Sequence, residues 1–227
     1  DYAFDLNEFF ATKDNGFFEH EAQIIKFLDS MATNEKYPFS TPELRDEIRH
    51  SLWLLNRVAS VKALERLLKN HEVFKDYTVV VAAGDGRSDD ATDGVATGKS
   101  LEKVRKAIAD AEAVGGKTIT LSVGQLTTGV TVPEWTAVIM LSNLASPAQY
   151  MQAAFRAQNP CTFERAGHVF QKKNAYIFDF APERTLTIFD AFANNLHPNP
   201  SGDPGIRQEN IRILLNFFPV LGEDSQG

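Results

Sequence analysis

The chain has 227 residues, 43% hydrophobic and 23% charged, with 30 acidic against 23 basic side chains and a formal net charge of −7. That length can bury a sizeable core in one large domain or two small ones, and the charge excludes a broad basic surface that would hold nucleic acid by phosphate neutralisation alone. The single cysteine, Cys161, excludes an internal disulfide, and no apolar run approaches the ~20 residues of a membrane helix, so a soluble protein of a reducing, cytoplasmic compartment is expected.

The chain opens on Asp1, with no basic segment followed by an apolar one, which is the pattern of a fragment of a longer protein and not of a signal peptide. Residues 1–40 carry Phe9, Phe10, Phe17 and Phe18, then Ile24, Ile25, Phe27 and Leu28 at helical spacing, predicting a helical lead-in. Ser40, Thr41, Pro42 and Glu43 combine capping hydroxyls, a first-turn proline and an early glutamate, so a helix over 44–50 is expected. Residues 51–55 read as a strand, Asn56 and Arg57 as a loop, and 61–70 as a helix with Leu64, Leu67 and Leu68 on one face. The order then repeats: a strand over 77–83, a polar loop from Gly84, and a helix over 100–114 closed by Gly115 and Gly116. Residues 118–123, 136–141 and 175–180 are three more runs rich in β-branched and aromatic residues, with a helix over 147–158 between the last two. After a helix over 183–195, the proline- and glycine-rich stretch 197–205 reads as a linker and 206–218 as a last apolar-faced helix. Apolar strands separated by helices imply a mostly parallel sheet with right-handed crossovers in an α/β sandwich.

Open parallel sheets gather ligands at the carboxyl ends of their strands. Two of the loops there carry suggestive residues. The stretch 124–133 offers Gly124, Thr127, Thr128 and Gly129 after a strand, a composition suited to presenting N–H and hydroxyl groups to phosphates. Residues 142–147 feed a helix that places Gln152 and Arg156 four apart, on one face.

With those residues in view, the stretch 51–180 resembles the second motor domain of helicase superfamily two, most nearly the ATPase subunits of type I and type III restriction enzymes. Residues 52–68 resemble its motif IV strand and helix, Leu126-Thr-Thr-Gly-Val-Thr-Val-Pro133 its motif V, and Gln152-Ala-Ala-Phe-Arg156 the start of its motif VI, Gln-x-x-Gly-Arg-x-x-Arg. The resemblance implies a RecA-like three-layer sandwich over 51–196, preceded over 1–50 by a helical lead-in from a missing first motor domain and followed over 197–227 by a linker and C-terminal helix. It implies a half-site for ATP and Mg2+, completed by that first motor domain, in an enzyme that translocates on DNA and carries nuclease or modification domains or subunits. Arg156 would be the arginine finger, Gln152, Gly129 and Thr131 would contact nucleotide, and Asn56, Arg57, Gly84, Thr127 and Thr128 would contact the nucleic-acid backbone. The sequence departs from the pattern at Phe155, in place of the motif VI glycine, at Asn159, in place of its second arginine, and at Thr131, in place of the motif V aspartate.

Alternatives remain open at this point. A degenerate motor domain kept as an interaction or scaffold module fits the irregular motif VI. A free-standing nucleotide-binding enzyme would rest on Gly94-Val-Ala-Thr-Gly98-Lys99-Ser100, but three residues separate its glycines where a phosphate loop has four. Asp89, Asp90 and Asp93 read as solvated carboxylates before a cation site, Trp53 and Trp135 as core anchors, and Asp179 as a strand-end residue capping the next helix.

Overall fold

β1 (His50–Leu54), β3 (Thr118–Ser122) and β4 (Ala137–Met140) are buried along their whole length, as runs covered on both faces must be. With β2 (Thr78–Ala82) and β7 (Tyr176–Asp179) at the edges they form a five-stranded sheet in the order β2-β3-β1-β4-β7, every neighbouring pair parallel. The computed structural model describes residues 4–35, 37–82, 93–123, 130–144, 146–196, 200 and 202–217, with the side chains of 93–97, 182–184, 196, 216 and 217 left aside. All five strands fall within two residues of the runs expected from the sequence. Helices cover both faces, so the α/β sandwich is as expected and is consistent with a RecA-like fold.

The two-residue period of the strands divides the core in two. Trp53, Leu55, Ile119, Leu121, Ile139 and Leu141 point to one face, where they meet Val61, Leu64 and Leu68 of α4 (Val58–Asn70). The same cluster takes in Leu6 of α1 (Leu6–Phe9), Ile24, Leu28 and Met31 of α2 (Glu21–Thr33), and Phe39 and Ile48 on either side of α3 (Pro42–Glu47). Phe39, Trp53 and Phe74 form an aromatic nest with centroids 5.2–5.6 Å apart, and Ser60 Oγ donates to the Phe10 carbonyl at 2.6 Å. Leu52, Leu54, Val80, Val138 and Met140 point to the other face, against α5 (Asp93–Ala113), α6 (Pro147–Ala154), α7 (Pro182–Leu196) and α8 (Pro204–Phe217).

Local sequence sets most of the boundaries. Thr41 caps α3 by accepting from Leu44 N at 3.2 Å, but α3 ends at Glu47, three residues short of the expected end, because the chain must extend for His50 to open β1. α5 starts at Asp93, well before the expected residue 100, and ends in a Schellman motif: Gly115 has φ +70°, and Gly116 N donates to the Ala111 carbonyl at 2.7 Å. α6 gives way at Phe155 to one 3-10 turn over Phe155–Ala157, so the single helix expected over 147–158 is two pieces. A hairpin, β5 (Thr162–Arg165) with antiparallel β6 (His168–Gln171), lies where the sequence predicted no element. Its two-residue turn has φ +52° at Ala166 and +75° at Gly167, the signs a type I′ turn requires.

Candidate functional site at the strand ends

β1 sits between β3 and β4, and the chain leaves β1 for α4 on one face of the sheet and β4 for α6 on the other. Helices departing to opposite faces open a crevice at the carboxyl ends of β1 and β4, the place where such sheets bind ligands. Asn56 is half-buried there, and Arg57 is exposed at the N-cap of α4. Across the crevice, Asn143 follows β4 and is held by the lead-in: its N–H donates to Asn7 Oδ1 at 2.9 Å and its side-chain amide to Asp5 Oδ1 at 2.7 Å. Asp5 also caps α1, accepting from Asn7 N at 2.8 Å. One carboxylate thus fixes both α1 and the loop that leads into α6.

Gly84, Thr127, Thr128 and Gly129 lie outside the described residues. The limb that follows them, from Val130 to Trp135, buries Val130, Val132 and Trp135 and leaves Thr131 exposed. Among the described residues the limb's carbonyls pair with no strand, and one shielded from water and left bare would cost about 1–3 kcal/mol. Three cations supply the donors. Arg156 Nη1 donates to the Val130 carbonyl, Arg105 Nη2 of α5 to that of Thr131 at 3.0 Å, and Lys172 Nζ to those of Pro133 and Trp135 at 2.9 and 2.8 Å. Arg105 and Lys172 were invisible to sequence reasoning, because nothing local marks a cation that serves a backbone 26 or 39 residues away.

Gln152 is exposed on α6, while its neighbours Met151, Ala153 and Ala154 are buried. Ser146 caps that helix by accepting from Gln149 N at 3.1 Å, with Pro147 in the first turn. Arg156 lies in the 3-10 turn, half-buried, so the four-residue spacing to Gln152 spans two kinds of helix instead of one α-helical face. Burial lowers the Arg156 pKa, but a guanidinium stays charged in a protein. Phe155, where the motif pattern has glycine, packs edge-on against Phe192 of α7 at 6.4 Å, and Asn159 donates its amide to Arg156's own carbonyl at 3.5 Å. The structure therefore brings Arg156, Val130 and Thr131 together and keeps Asn56 and Arg57 at the strand-end crevice.

Several side readings are resolved by burial and backbone. Gly98, Lys99 and Ser100 fall in the second turn of α5, where N–H groups bond within the helix, so they form no phosphate-cradling loop. Trp53 and Trp135 are fully buried, as core anchors are. Asp179 Oδ1 accepts from Ala181 N at 2.9 Å just before α7, as a strand-end cap does. Asp89 and Asp90 lie outside the described residues, as does the side chain of Asp93; among those described, no three His, Cys, Asp or Glu are grouped to hold a metal. No helix among them is long and apolar enough to cross a membrane.

A second network lies at the opposite, amino-terminal edge of the sheet. His50, fully buried at the start of β1, contacts the Thr118 hydroxyl through Nδ1 at 2.8 Å and Glu112 Oε1 through Nε2 at 2.6 Å. Arg165 of β5 forks onto the same carboxylate, with Nε and Nη2 at 2.8 and 2.7 Å. Burial penalises the charged Glu112, but the hydrogen bonds from Arg165 and His50 outweigh it and hold the carboxyl at about 2. This pair of charges fastens the hairpin to the end of α5.

No family model matches the chain. It is 28% identical over 222 residues to a Mycoplasma pneumoniae protein described as the C-terminus of a putative type II restriction enzyme and methyltransferase. That alignment covers 92% of this chain, which spans only 28% of the relative's length. Among solved structures, the C-terminal part of the Fun30 ATPase domain is 14% identical, over 92% of this chain and 56% of that one, with a TM-score of 0.39. The ATP-dependent Type ISP restriction-modification enzyme LlaBIII bound to DNA is also 14% identical, over 88% and 15%, with a TM-score of 0.39. A DEAD-box helicase domain 2 bound to an RNA duplex is 11% identical, over 94% and 75%, with a TM-score of 0.37.

Proposed function

We propose that the chain is the second motor domain of an ATP-dependent DNA helicase or translocase, part of a restriction-modification enzyme, and that it completes an ATP site with a first motor domain of the same polypeptide. The observation that carries this reading is the hydrogen bond from Arg156 to the Val130 carbonyl, which joins the stretch resembling motif VI to the tail of the stretch resembling motif V. Two segments that must act on one nucleotide are held together by the residue assigned the reaction.

Magnesium-ATP, carried mainly by the first motor domain, supplies the phosphoanhydride to be broken. Arg156 supplies a planar fork of N–H donors, and its hydrogen bond to the Val130 carbonyl orients it before any nucleotide arrives. Aimed at the transferring phosphoryl, such a positive charge stabilises the charge that develops there. Gln152, exposed about one turn earlier, and Thr131, exposed between two buried valines, are the further nucleotide contacts in this reading, which also assigns Gly129 that role. Asn56 and Arg57, with Gly84, Thr127 and Thr128, contact nucleic-acid phosphates without reading sequence, which a protein of net charge −7 can do only locally. The domain organisation follows: a lead-in over 1–50, the motor body over 51–196, and a linker with its helix over 197–227.

In the intact parent enzyme, Arg156→Ala is expected to lower DNA-stimulated ATP hydrolysis by roughly 10³–10⁵, with an unchanged far-ultraviolet spectrum. Arg156→Lys should fail to restore it, since an ammonium lacks the fork. A rate close to wild type in either variant refutes the arginine-finger assignment. Phe155 packed on Phe192 and Asn159 in place of an arginine favour a second reading, an interaction module built on a motor fold. ATP hydrolysis by the parent that is indifferent to Arg156 would select it.

A further inference from the structure

Under the β5–β6 hairpin, at the amino-terminal edge of the sheet and so away from the strand-end crevice, lies a cleft of about 670 Å³. Its lining includes Arg49, Phe163, His168, Phe170, Lys172 and Lys173. Arg49 stands on a rigid base, because its carbonyl accepts from Thr118 N at 2.9 Å in the sheet, while its guanidinium is poorly served. Nε and Nη1 are buried with no hydrogen-bond partner among the described residues, and Nη2 reaches Asp46 only at 3.8 Å.

The acids of the cleft are already engaged. Asp46 pairs with Lys117 at 3.2 Å, and Glu47 accepts from Asn174 at 2.6 Å and from the Tyr176 hydroxyl at 2.8 Å. Arg165, also in the lining, is paired with Glu112, which lies outside it. Lys172 donates to two carbonyls, and neither it nor Lys173 has a carboxylate within ion-pair distance among the described residues; Glu134 acts on Lys172 only from farther away. Buried cationic N–H groups without acceptors are costly, and native proteins satisfy them with water or a bound ion.

We propose that this cleft is an oxyanion site that takes a phosphate group, gripped by the Arg49 fork and by Lys173, with Lys172 and His168 beside them. A swing of the Arg49 guanidinium, whose Nη2 is held only by the long contact to Asp46, presents Nε and Nη2 as the parallel pair that matches two phosphate oxygens. Lys172 and Lys173, with no ion-pair partner among the described residues, and the half-satisfied Arg49 together suit a multiply charged anion better than a single carboxylate. The cleft also exceeds a bare phosphate in size and offers Phe163 and Phe170 as apolar walls, so the phosphate is an ester's, either a free small molecule's or a nucleic-acid backbone's. None of this rests on the motor reading.

The test is calorimetric titration of inorganic pyrophosphate into the chain and three variants. One pyrophosphate is expected to bind per chain, with affinity weakened about tenfold or more by Arg49→Gln and by Lys173→Gln and unchanged by Arg156→Ala. Lys173 is exposed, so its variant stays informative if Arg49→Gln fails to fold. No binding, or binding lost only in Arg156→Ala, overturns the proposal. A short DNA duplex titrated in parallel separates the sources. If Lys173→Gln weakens it too, the phosphate is a backbone's; if only pyrophosphate is affected, it is a free ester's.

Discussion

Glu112 shows how one residue converts electrostatics into stability. With a folded pKa of about 2 against an ordinary 4.5, it binds fewer protons folded than unfolded between those values. Its contribution is therefore complete above about pH 4.5 and is lost as pH falls toward 2. The loss should be on the order of 2–3 kcal/mol, since the side chain is 18% exposed and only weakly screened. Urea unfolding at pH 5 and pH 3 is expected to show that slope in the wild type and a much flatter one in Glu112→Gln; equal slopes would mean that the Arg165–Glu112–His50 network carries no net linkage. Arg156 and Glu112 were unequally legible. Arg156 stood out through its neighbours in sequence, whereas Glu112 is one acid in a charged helix, and its partners His50 and Arg165 lie 62 and 53 residues away.

Among the elements, the hairpin is the one that local signals concealed. A two-residue I′ turn is normally announced by Asn-Gly or Asp-Gly, and here the first position is Ala166 at φ +52°, which an L-residue with a Cβ adopts at a cost of about 1–2 kcal/mol. Its strands are only four residues long, and β6 is exposed throughout, so no alternation of apolar residues stands out. Ala166→Asn is expected to relieve part of the strain and stabilise the protein by about 0.5–1 kcal/mol, read as a higher midpoint in urea at unchanged slope. A lower midpoint would show that the turn is held in some other way. The limb from Val130 to Trp135 is a second case: its resemblance to motif V was visible, but the clamp of Arg156, Arg105 and Lys172 on its carbonyls was not.

In the whole molecule, one sheet separates two cores, and the lead-in belongs to one of them: Phe39, fully buried, packs on Trp53 of β1 and on Phe74. Phe39→Ala should cost about 3–5 kcal/mol and lower a single unfolding transition seen alike by tryptophan fluorescence and by circular dichroism. A separate early transition, leaving the sheet intact, would show that residues 4–48 fold independently of the body. The sequence by itself determined the five strands, the helices between them, the cap at Thr41, the glycine stop at Gly115 and the α/β class, because each follows from the spacing of apolar residues and from backbone preferences over a few residues. Only the tertiary structure decided the strand order, the latch from Asp5 and Asn7 to Asn143, and the seating of Arg156 on Val130. Those depend on groups far apart in the chain, whose pairing is selected by the need to satisfy buried polar atoms once the sheet has closed its two cores, and no local pattern encodes that need.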